Sequence, residues 1–152
     1  MKESPQALKL EEVLRSSKLV VGGFMGDDHR SFSEIIDSDM AELSHLGYSI
    51  EQVVASMQKI TDVAISGLGN WVRLDQQREA KVDETKGSLV CPWPHSGLFA
   101  KRVTTIRIID TGQTIRWSDL NIHLIAEHGF FEGNGSAFRI EPKELINIIG
   151  SA

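Results

Sequence analysis

Cysteine is nearly absent. Among 152 residues only Cys91 is present, so no disulfide can form within the chain. A chain without such staples must bury its own core, and this length is enough for one. No apolar run reaches the ~20 residues that a membrane-spanning helix needs. The longest, "LVVGGFMG" and "LNIHLIAEHGFF", are broken by glycine or polar groups. The opening "MKESPQALKLEEVLRSS" is polar and mixed in charge. It lacks the apolar centre of a signal peptide, so neither export nor a membrane partner is expected. With one unpaired thiol, this makes a reducing cytoplasm the expected location. Positive charge is short as well: the formal net charge is −5 and the pI about 5.5, so no nucleic-acid partner is expected. The basic stretch "KRVTTIRIIDTGQTIRW" sets Lys101, Arg102, Arg107 and Arg116 against Asp110, and reads as a solvated strand face. Repeats and low-complexity tracts are missing, and 41% hydrophobic with 24% charged residues excludes disordered and fibrous classes.

The pattern that is present begins with helices. Ser4 and Pro5 mark a helix start, with Leu8, Val13 and Leu14 as inward candidates. "LVVGGFMGDD" reads as a loop or short buried strand. "SFSEIIDSDMAELSHLG" carries a helical stripe of Phe32, Ile35, Ile36, Met40, Leu43 and Leu46, closed by Gly47. Ser49 with Gln52 forms a capping box for a third helix, whose stripe runs from Ile50 to Trp71. "RLDQQREAKVDETKGS" has no stripe, and 73–88 is expected to be an exposed polar loop. "RVTTIRII", "DTGQ" and "TIRW" read as strand, turn and strand, with Gly112 at the turn. Ser118 caps the following helix. "AFRI" reads as a short strand, and "EPKELINIIG" as a last helix starting at Pro142 and ending at Gly150.

This order predicts one α+β domain over 1–152. N-terminal helices pack on a small antiparallel sheet, made of a hairpin at about 102–117 plus a short strand at about 137–140, and two helices follow.

Chemistry concentrates in "NIHLIAEHGFFEG". His123 and Glu127 are four residues apart and share a helix face. His128 lies about 140° round from His123 at 3.6 residues per turn, so the two converge only if the last turn distorts near Gly129. Upstream stands Cys91-x3-His95, then the hairpin, then His123-x4-His128. Two donors from a turn and two from a helix end make a tetrahedral set of the kind zinc takes. The layout resembles a ββα zinc finger over residues 91–128. It departs from one by a histidine at a turn position and by a gap of 27 residues between the pairs, roughly twice the usual finger spacing. The same residues also fit without a metal: Cys91 as a small buried hydrophobe, His128 as a cation favoured by the helix dipole.

A second cluster, "GDDHRSF", offers Asp28 and His29 as ligands or acid–base groups, which with His123 and Glu127 would make a mixed site if the loop folded against that helix. Asp28 or Ser31 equally suits a helix cap. Adjacent Phe130 and Phe131 are expected to place one ring in an interface or pocket. The chain is thus expected to be a small cytoplasmic binding or interaction module, recognising a protein partner or small ligand. A site for zinc or another divalent metal is expected at Cys91, His95, His123 and His128. The alternative is a metal-assisted hydrolase with Glu127 as base. The long stripe from Ile50 leaves homo-oligomer formation open.

Overall fold

The computed structural model describes residues 4–16, 19–20, 22–95 and 97–149. Three helices come first: α1 (Pro5–Arg15), α2 (Phe32–His45) and α3 (Ile50–Ile65). A four-stranded antiparallel meander follows in the order β1 (Val72–Arg73), β2 (Arg78–Val90), β3 (Leu98–Ile108) and β4 (Thr114–Ser118). Helices α4 (Asp119–His128) and α5 (Pro142–Ile149) close the chain. The α+β reading holds. None of these helices is long and apolar enough to cross a membrane.

The helix ends are set by local chemistry. Ser4 accepts from the Ala7 N–H with Pro5 at the first helical position, and Ser49 and Gln52 cap each other reciprocally. Ser31, rather than Asp28, caps α2 in a box with Glu34. Ser118 caps α4 with Asn121 as its partner. The expected end of the last helix at Gly150 lies outside the described residues.

Three expectations are corrected. The polar stretch at 73–88 is not a loop: most of it is β2, joined to β1 by a turn in which Asp75 holds Arg78. Its inward residues Ala80 and Val82 are buried opposite Ile106 and Thr104. Its polar residues pair in register with charges on β3, Glu79 with Arg107 on the outer face and Glu84 with Arg102 on the face of Ala80 and Val82, beyond the buried stretch. The helix stripe does not reach Trp71: α3 ends at Ile65, and Leu68 is 89% exposed with a φ of 51°. No strand forms at 137–140. A single backbone bond, from the Ile140 N–H to the Phe131 carbonyl, links that segment to its neighbour, and Arg139 turns instead to Asp39. In α1, Leu14 is buried as expected, whereas Leu8 faces solvent.

Two apolar clusters form. The larger lies between the sheet, α3 and α5 and contains Met57, Ile106, Trp117 and Ile148. The smaller gathers Leu14, Phe24, Met25 and Ile35 against the far end of the β2–β3 hairpin. Helix α4 separates them: Ile122 and Ile125 face the first, Leu120 and Leu124 the second. This two-sided burial explains why α4 lacks a clean polar face.

Phe130 and Phe131 continue the division, in the second and first clusters respectively, both wholly buried. Neither ring lies at an exposed interface. Adjacent residues of a non-helical segment point to opposite sides, so each ring finds its own core.

Candidate metal centre

The tip of the β2–β3 hairpin meets the C-terminal end of α4. Cys91 directly follows β2 and is 3% exposed. Pro92 and Pro94 restrict the tip backbone and carry the chain to His95. His123 and His128 come from the second and last turns of α4. The four side chains, distant in sequence, converge so that one donor atom from each lies within 4.8 Å of all the others.

The separations are informative. His123 Nε2 lies 3.1 Å from His95 Nε2, His95 Nε2 lies 3.3 Å from His128 Nε2, and Cys91 Sγ lies 3.5 Å from His128 Nε2. Tetrahedral bonds of ~2.0–2.1 Å to nitrogen and ~2.3 Å to sulfur separate two nitrogens by about 3.4 Å and a sulfur from a nitrogen by about 3.6 Å. The spacing is therefore close to that of ligands around one ion. The expected distortion of the last turn is not needed. Helix α4 stays regular to His128 and ends in a left-handed Gly129, with the Phe130 N–H on the Leu124 carbonyl.

Aromatic rings hold the imidazoles. Trp93 stacks on His128 with centroids 4.0 Å apart and planes 8° apart, and is itself braced edge-on by Phe32 and Phe130. Phe99 lies 4.5 Å from His123. This shell lowers the proton affinity of His123 and His128. Burial first, then the neighbouring imidazoles, takes His128 down to about 4, and burial with the charge of His95 lowers His123. Burial also raises the Cys91 thiol above its usual range. At neutral pH His123 and His128 accordingly present lone pairs, as metal ligands must.

The other candidates lie elsewhere. Asp28 is consumed by Arg30, with Nη2 at 2.7 Å and Nε at 3.0 Å, and accepts from the Asn134 N–H at 3.0 Å. That pairing, led by the Arg30 side-chain bond, holds its carboxyl well below the usual range. His29 and Glu127 are exposed. None of the three belongs to the convergent donor set, so the mixed site does not assemble. The basic residues of the strand do not share one face: Arg102 and Arg107 lie on opposite sides of β3, Arg102 meeting Glu84 and Asp119 and Arg107 meeting Glu79 against the Trp71 ring.

Sequence reasoning missed Glu132. It is 5% exposed, has a φ of 68°, and accepts from Asn121 Nδ2 at 2.7 Å and Ser136 Oγ at 3.1 Å. An acid inside "GFFEGNGS" reads as surface. The available signal was the glycine content of this loop and of "GGFMGDD", which dock backbone to backbone. Gly133 donates to the Phe24 carbonyl at 2.8 Å and Asp27 to the Asn134 carbonyl at 3.1 Å. A side chain at Gly133 would overlap the Met25 carbonyl.

The chain matches no family model, and no curated protein or solved structure is significantly similar to it.

Proposed function

We propose that this protein is a small binding module whose hairpin tip and fourth helix are joined by one zinc ion held by Cys91, His95, His123 and His128. The observation that carries the reading is the convergence of one sulfur and three Nε2 atoms at close to tetrahedral ligand spacing. One thiolate and three imidazoles suit zinc better than calcium or magnesium, which take oxygen ligands. Four protein donors fill zinc's usual coordination, which supports a structural role. A thiolate ligand must stay reduced, which supports a cytoplasmic setting.

A second reading, metal-assisted hydrolysis with Glu127 as base, requires one protein ligand to yield to water. Exposed His95 favours this reading, because it is the outermost of the four. Elemental analysis of untagged protein, followed by X-ray absorption at the zinc edge, tests both. The structural reading expects one equivalent of zinc, one sulfur and three nitrogens, with the metal lost in Cys91→Ser and His123→Ala. Three protein donors plus an oxygen would favour the hydrolytic reading. Absence of metal above background, with stability unchanged by chelator, would overturn both.

A further inference from the structure

At the N-terminal end of α4 the structure contains a second feature. A pocket of about 210 Å³ opens between the Phe24 loop, the end of β2 and the Glu132 loop. Its walls are apolar, from Phe24, Leu89, Leu120 and Phe138, and its polar residues are Ser118 and Glu132. The volume is that of about seven liquid waters at ~30 Å³ each, so the occupant is small.

The hydrogen bonds fix what the polar end offers. Asn121 Oδ1 accepts from the Ser118 N–H at 2.8 Å and from Ser118 Oγ at 3.1 Å. The amide must then turn its Nδ2 toward Glu132, which it does at 2.7 Å. Ser136 donates to the other carboxylate oxygen, and the Arg139 guanidinium is spent on the Glu132 carbonyl at 2.8 Å and on Asp39. Each Glu132 carboxylate oxygen thus accepts one bond and has a lone pair left for another. Among the described residues no lysine or arginine side chain forms an ion pair with its carboxylate. Its left-handed backbone is unfavourable for a residue with a Cβ. Such strain persists only where the surroundings over-determine it, and it gathers at binding sites.

We infer that this pocket binds a small, mainly apolar molecule carrying a protonated amine, with the alkyl part against Leu89, Leu120 and Phe138 and the ammonium on Glu132. The charge is complementary: a buried carboxylate without a direct ion pair, helped only by the nearby charge of Arg139, gains one from the ligand, and water is displaced from apolar walls. Burial raises the Glu132 carboxyl to about 7, against the bonds from Asn121 and Ser136 and the charge of Arg139.

The test is calorimetric and NMR titration of the metal-loaded protein at neutral pH with three probes of matched shape: 3-methylbutylamine, 3-methylbutanol and 3-methylbutanoate. The amine is expected to bind saturably, shifting Leu120, Glu132 and Phe138, and more tightly than the alcohol or the acid. Glu132→Gln should weaken the amine at least about tenfold, the loss expected for one charge-assisted bond. Ala137 is exposed and also lines the pocket, so Ala137→Trp should block the amine without touching the carboxylate, which keeps the test sound if Glu132→Gln folds poorly. Equal binding of amine and alcohol, no saturable binding, or an amine affinity indifferent to both variants would overturn the assignment.

Discussion

Glu132→Gln exchanges a buried carboxyl for an amide of nearly the same shape, and its effect on stability should depend on pH. In the unfolded chain the carboxyl ionises at its ordinary 4.5, whereas in the fold burial raises it to about 7, against the opposing bonds from Asn121 and Ser136 and the charge of Arg139. Between those values the folded protein holds a proton that the unfolded chain has released, so stability falls as pH rises. A raised carboxyl contributes fully below 4.5, and the contribution is lost as pH passes through about 7. At 1.36 kcal/mol per pH unit this amounts to about 3 kcal/mol. Glutamine retains an oxygen for Asn121 and has nothing to ionise. The stability difference between variant and parent should therefore move in the variant's favour by about 3 kcal/mol between pH 4.5 and 8. Urea denaturation of both proteins across that range measures it. Any pH dependence from the Cys91, His95, His123 and His128 cluster is common to both and cancels. Parallel profiles, differing by a constant across the range, would refute the reasoning.

Two further substitutions probe the frame that carries the sites. Thr61 Oγ1 is wholly buried, accepts from Trp117 Nε1 at 2.9 Å and shares a 2.7 Å bond with Thr104 Oγ1. Thr61→Val leaves that indole and hydroxyl unpaired and should cost about 2 kcal/mol in chemical denaturation, an unchanged midpoint counting against the network. Gly133→Ala drives a methyl group into the Met25 carbonyl. It should cost ~1–3 kcal/mol and expose the Gly133 amide, now bonded to Phe24, to faster hydrogen exchange.

The parts of the fold legible in the sequence were those written locally. Ser4–Pro5, Ser49 with Gln52, Ser118 and Gly129 act through atoms a few residues away, so their caps could be read directly. Strand β2 could not, because its inward positions offer only Ala80 and Val82 before a register shift between Thr85 and Ser88 breaks the alternation. What holds the rest is β3, through pairs such as Glu84 with Arg102 that no local window contains. The apparent stripe to Trp71 continued past Ile65 only by coincidence of spacing, since the helix had already ended. Residues 137–140 looked like a strand by composition, but Arg139 is committed to Asp39, 100 residues away. The four metal-type side chains were legible because cysteine and histidine are rare here and paired in spacing. Glu132 was not, because its burial is created by two glycine loops meeting.

The hairpin tip poses a mechanical problem that the proposed metal resolves. Strands β2 and β3 pair continuously from Arg78 to Thr85, lose register, and resume only for Ser88, Leu89 and Val90. Beyond that point three residue pairs and a proline-rich turn project past the larger core, with the smaller cluster for support. Cys91 and His128 stand 37 residues apart in sequence, so a shared ion would tie distant segments of the folded chain together and add its binding energy to folding, in a chain with no second cysteine. Removing the metal should therefore loosen one end of the molecule and not the whole. Hydrogen exchange after chelation is expected to accelerate at the amides of Leu89, Phe99, Gly129 and Phe130. Ala80, Val82 and Ile106, in the continuous part of the sheet, should keep their protection. Uniform acceleration would instead make the ion a condition of the entire fold, and no change at the tip would leave Trp93 stacking and the smaller cluster as sufficient to hold it.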